Sequence, residues 1–170
     1  MRQIDESMKS AIRVLIVEDA PDDAELIAAA LSEQGFTPCW HRVDNKADYL
    51  AHLDSIPDVI LADYSLREFS ASEALQLLME RGFDIPFIVV SGRISDVQAA
   101  NFIKGGASDF LLKDRLARLG PSVQQALHHK FAREDQRRLE TALRESEEKH
   151  RLICETTTDA VIVLDADTTR

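Results

Sequence analysis

Cysteine is scarce in this chain: Cys39 and Cys154 are the two among 170 residues. They stand far apart, in no metal or redox spacing, which excludes a disulfide framework and favours a reducing, cytoplasmic setting. No apolar run approaches the roughly 18 residues that a membrane span needs, so no membrane is expected as a partner. Residues 1–10 are polar and carry no signal-peptide core. Basic charge is in deficit, with 20 Lys and Arg against 30 Asp and Glu and a net charge of -10. So acidic a surface repels phosphate backbones and argues against nucleic acid as a partner. No Gly-rich loop follows the first apolar run, which counts against a nucleotide-binding domain.

What is present is an ordinary globular balance, 45% hydrophobic and 29% charged, with the charge unevenly spread. Residues 1–127 hold 20 acids and 12 bases, whereas residues 128–151 hold 6 and 7 and almost no Gly, Pro or β-branched residues. Three segments follow: a compact domain at 11–130, a helical connector at 131–154, and the start of something further at 155–170.

Within the first segment, short apolar runs alternate with amphipathic ones. Strands are predicted at Ile12–Val17, Thr37–Val43, Asp58–Ala62, Pro86–Val90 and Asp109–Leu112. Helices are predicted from Pro21 to Gln34 with Gly35 as the stop, from Asn45 to Leu53, from a capping box at Ser70–Glu73 to Arg81, and from Ser95 to Lys104. A single turn near Leu116 precedes a last helix that Pro121 can start. The first, third and fourth strands are apolar on both faces, which means a parallel sheet covered by helices on both sides. Right-handed crossovers then predict a flavodoxin-like, doubly wound α/β sheet of five strands in the order 2-1-3-4-5, with a long C-terminal helical extension.

Ligands of open parallel sheets bind beyond the carboxyl ends of the strands. Glu18 and Asp19 follow the first strand, with Asp22 and Asp23 a turn later; Asp63 follows the third, Ser91 the fourth and Lys113 the fifth. The strand order brings Glu18, Asp19 and Asp63 together, and carboxylates so gathered need a shared cation. Oxygen donors select a hard ion such as Mg2+ (or Mn2+). A carboxylate left free to attack, with a hydroxyl and an ammonium beside it, describes a phosphoryl-accepting site. Singly, each residue reads as loop or cap chemistry; together, at four of five strand ends, they make a site.

Val-Glu-Asp at 17–19, Leu-Ala-Asp at 61–63, Val-Ser-Gly at 90–92 and Asp-Phe-Leu-Leu-Lys at 109–113 resemble the signature of two-component receiver domains. The resemblance covers roughly residues 11–130. It implies that Asp63 accepts a phosphoryl group from a histidine kinase or phosphotransfer protein. It further implies that Asp19 ligates magnesium directly, Glu18 through water, and the Ser65 carbonyl completes the protein ligands. Ser91 and Lys113 would hold phosphoryl oxygens, and Phe110 would be the aromatic switch that turns inward when Ser91 moves. Glu18, Ser91 and Phe110 stand where Asp, Thr and Tyr are commoner in the family, and Asp114 replaces a cis-forming Pro, so the loop after the fifth strand is expected to differ.

In the connector, Ala132, Gln136, Leu139, Leu143, Ser146, His150 and Ile153 recur at alternating spacings of 4 and 3, a coiled-coil pattern that predicts a homodimer. The other reading is a single solvated helix held by charge pairs. Leu143–Ile153 followed by Thr158–Asp165 resemble the opening of a PAS sensory domain, its first helix and strand, which implies a piece of a longer signalling protein ending in a histidine kinase or diguanylate cyclase. Two further readings of the site are an aspartyl-nucleophile phosphatase, which would want an acid at position 65, and a receiver-like interaction domain that is not phosphorylated.

Overall fold

The computed structural model describes residues 10–166 apart from Ile94. Strands and helices alternate as β1 (Ser10–Val17), α1 (Pro21–Glu33), β2 (Phe36–Val43), α2 (Lys46–Leu53), β3 (Val59–Asp63), α3 (Ala71–Glu80), β4 (Phe87–Ser91), α4 (Asp96–Lys104) and β5 (Asp109–Leu112). A 3₁₀ segment, Lys113–Arg118, leads into α5 (Leu119–Ala166). The five strands form one parallel sheet in the order β2-β1-β3-β4-β5, as the strand pattern predicts.

Every residue of β3 and β4 is buried, because each face of these strands meets helices. Leu15, Ile60 and Val89 face Tyr49 and Leu53 of α2 and Leu75 and Leu78 of α3. Val14, Leu61 and Ile88, each adjacent in its strand to one of these, face Ile27 and Leu31 of α1 and Val123 of α5. Fully burying each such side chain is worth about 1.5–3 kcal/mol, so the alternation itself fixes which helix covers which face. β2 is an edge strand whose exposure alternates along its length, and it carries Pro38 opposite Ile12. Proline offers no N–H and is confined to such edges.

The helix ends explain themselves locally. After α1 the chain turns at Gly35, whose φ of +91° suits glycine. Beside it, the Gln34 amide accepts from the Gly120 N–H at 2.6 Å and donates to the Leu116 carbonyl at 2.8 Å, binding the end of α1 to the start of α5. A Cβ on Gly120 would lie 2.6 Å from the Gln34 amide oxygen, so only glycine allows this approach. The predicted box at Ser70–Glu73 is half formed: Ser70 accepts the Glu73 N–H, but the Glu73 carboxylate pairs with Lys46 of α2 at 3.2 Å. The complete box opens α4 instead, between Ser95 and Gln98. α5 begins two residues before Pro121, which the first helical turn tolerates because its N–H groups need no helical partner.

The chain divides into two units, Met1–Lys130 and Phe131–Arg170. The second is helical from Phe131 to Ala166, with Leu139 72% and Leu143 61% exposed. The helix also runs through Thr158–Asp165, where the PAS resemblance implies a strand. A lone strand has no neighbour for its backbone groups, whereas a helix satisfies its own. Residues 167–170 of the segment read as a PAS opening lie outside the described residues.

Tyr49 marks how tightly α2 and α3 are joined. Its buried hydroxyl donates to the Ala74 carbonyl at 2.9 Å, and its ring lies 5.1 Å from that of Phe69. Burial pushes the phenol well above its ordinary range. Tyr49→Phe removes one buried hydrogen bond and should cost about 1 kcal/mol in urea unfolding without changing the slope of the transition.

Candidate functional site

Parallel register delivers the site. Val17 pairs with Ala62, so Glu18 and Asp63 emerge side by side from β1 and β3. Asp63 in turn pairs with Val90, and Ser91 with Leu112, which sets Ser91 and Lys113 at the ends of the next two strands. Glu18 and Asp63 are buried, with side chains 1% and 8% exposed, while Asp19 is 34% exposed. Oxygen atoms of Glu18, Asp19 and Asp63 all lie within 4.8 Å of one another.

One ammonium holds this group together. Lys113 Nζ donates to Glu18 Oε2 at 2.8 Å, to Asp63 Oδ2 at 3.2 Å and to Asp23 Oδ2 at 2.5 Å. Burial alone would lower its pKa, but the hydrogen bonds to Asp23 and Glu18 outweigh that and hold the charge above its ordinary range. Glu18 is also shifted upward: burial pushes its carboxyl up, and the hydrogen bonds from Lys113 and the Ala20 N–H offset this in part. Arg42 Nη1 donates to the Glu18 carbonyl at 2.9 Å and to Asp44, which fixes the turn after β1 to the end of β2. Arg67 reaches Asp19 at 3.5 Å from the surface.

The remaining predicted residues sit nearby in differing arrangements. The Ser65 N–H donates to Asp63 Oδ1 at 3.2 Å. Ser91 is buried, but its hydroxyl donates to the Arg93 carbonyl at 2.9 Å and so closes its own loop. Phe110 is half-buried against the α2–α3 core. The loop at Asp114 departs from helical geometry at Arg115, with φ -126° and ψ 37°. Two contacts go beyond the sequence reading. Asp23 is four residues past Asp19, on the first turn of α1, and that spacing was the available signal. Tyr64, next to Asp63, accepts from Gln98 at 2.5 Å and meets Phe102 edge-on at 5.9 Å, tying the site to α4.

The donors are hard oxygens, two of them buried, with more negative charge than Lys113 can neutralise. Such a set fits a small divalent cation such as magnesium. An open cleft of about 540 Å³ borders it, lined by Asp19, Asp44, Asn45, Arg67 and Glu68. Without metal, the Glu18 charge works against folding, because its folded-state pKa lies above the ordinary value of 4.5. The penalty vanishes at acid pH, where the carboxyl is protonated in both states, and grows as pH rises through the shifted range. In a chelating buffer, Glu18→Gln should therefore melt above the wild type at pH 7. The gap should close below pH 4.5.

The sequence profile of the response regulator receiver domain matches residues 14–124. Transcriptional regulatory protein DltR of Streptococcus agalactiae is 28% identical over 103 residues, 60% of this chain and 45% of that protein. The alkaline phosphatase synthesis transcriptional regulatory protein SphR of Synechococcus elongatus is 26% identical over 133 residues, 65% of this chain and 50% of that protein. The chain thus spans about half the length of these relatives. A solved signal receiver domain from Vibrio parahaemolyticus superposes with a TM-score of 0.65 at 26% identity, covering 73% of this chain and 95% of that one. Sheet order, acidic group and sequence agree: the chain belongs to the response regulator receiver domain family.

Proposed function

We propose that the domain accepts a phosphoryl group on Asp63 in a magnesium-dependent reaction, with a histidine kinase or phosphotransfer protein as donor. The observation that carries this is the Lys113 ammonium set between Glu18 and Asp63 beside a carboxylate group suited to a metal. Glu18, Asp19, Asp63 and the Ser65 carbonyl would hold the ion, which supplies charge neutralisation on the transferring group. An Asp63 carboxylate oxygen attacks phosphorus, the bond to the donor nitrogen breaks, and an acyl phosphate remains. Lys113 leaves Asp63 Oδ2 for a phosphoryl oxygen. Ser91, released from the Arg93 carbonyl, takes another, and Phe110 turns inward behind it.

An aspartyl-nucleophile phosphatase is the weaker reading. Position 65 holds a serine whose N–H already binds Asp63 Oδ1, and it offers no carboxyl proton to a leaving group. The relatives DltR and SphR are named as transcriptional regulators. This chain instead continues as a charged helix, which we read as a connector to a PAS domain starting at 155–170 and a histidine kinase or diguanylate cyclase beyond. A strand at that start would form only beside the rest of its own sheet.

Exposed Leu139, Leu143 and Ile153 support pairing with a second copy through this connector. Charge pairs such as Arg144–Glu148 at 3.3 Å would equally serve a single helix.

Incubation with a small phosphodonor and magnesium should add one phosphoryl group by intact mass, and Asp63→Asn should abolish it; equal labelling of that variant would reject the assignment. For the connector, a fragment of residues 1–154 should sediment as a weak dimer, and one ending at Lys130 mainly as a monomer. Replacing Leu139 and Leu143 by Lys should convert the longer fragment to monomer. Equally tight dimers from both fragments would assign association to the receiver.

A further inference from the structure

We propose that Asp23 is a positioning residue that holds the Lys113 ammonium aside when a divalent cation occupies Glu18, Asp19 and Asp63. The inference rests on the reading of that group as a cation site. An ammonium has three hydrogens, and those of Lys113 meet three carboxylates: Glu18 at 2.8 Å, Asp63 at 3.2 Å and Asp23 at 2.5 Å. Two of those three belong to the metal-suited group, and Asp23 does not. A cation entering that group repels the ammonium and competes for the same two carboxylates. Lys113 is only 18% exposed, so water is a poor substitute for the partners it gives up. Asp23, 41% exposed on the first turn of α1, is the remaining acceptor.

A plain acidic residue near the site would also attract magnesium, and the two roles separate in a double-mutant cycle. Magnesium is titrated calorimetrically at fixed ionic strength into the full chain, Asp23→Asn, Lys113→Met, the double variant and Asp23→Glu. Asp23→Asn should weaken binding by about fivefold. The same change in the Lys113→Met background should matter by less than about twofold, because no ammonium is left to accommodate. Lys113→Met alone should bind more tightly, and Asp23→Glu should stay within about twofold of the wild type. An equal or larger loss in the Lys113→Met background makes Asp23 a simple field charge and overturns the proposal, as does an unchanged affinity in Asp23→Asn. Should Lys113→Met fail to fold, the nitrogen-15 signal of the Lys113 ammonium decides. It should survive magnesium addition in the wild type and vanish in Asp23→Asn; its loss from the magnesium-loaded wild type overturns the proposal. A wild-type chain that takes up no magnesium overturns the cation-site reading itself.

Discussion

Carboxylates gathered in a place that water scarcely reaches set the terms for everything else here. Glu18 and Asp63 are buried because they continue two central strands of a sheet covered on both faces. A parallel sheet ends all its strands on one side, so whatever follows them must share a small volume. Lys113 satisfies both buried carboxylates at once, yet it leaves an excess of negative charge. That excess is what suits the group to a divalent cation rather than to a closed ion pair. A balanced pair would have little reason to attract one.

Much of the fold was legible because two of its devices are local. Doubly apolar runs such as Val59–Ala62 say parallel and buried, and the turn residues between them mark the boundaries. Side-chain choices that depend on distant partners were not legible. The Ser70–Glu73 pattern predicts a reciprocal cap, but Lys46, far off in sequence, takes the Glu73 carboxylate. Gln98 completes the cap of α4 and also reaches Tyr64, a link that needs β3 and α4 to be neighbours first.

The site divides in the same way. Glu18, Asp19, Asp63 and Lys113 stand directly at strand ends, so topology alone brings them together. Asp23 belongs to a helix turn, and its contact with Lys113 depends on how α1 is rotated over the sheet. Ser91 illustrates the limit differently: its position is fixed by β4, but its hydroxyl has a choice of acceptors and takes the Arg93 carbonyl. Hydroxyl rotation is inexpensive, so sequence fixes where such a group sits but not where it points.

Pro38 has a consequence of another kind. An uncovered edge strand invites another chain to extend the sheet, the usual path to aggregation. β2 is such an edge, eight residues long, and a proline within it breaks the row of backbone donors that a newcomer would need. Copies of this domain are thereby discouraged from joining strand to strand on that side. The sheet that carries the acidic group is thereby shielded on that side from being lengthened by a stranger's backbone.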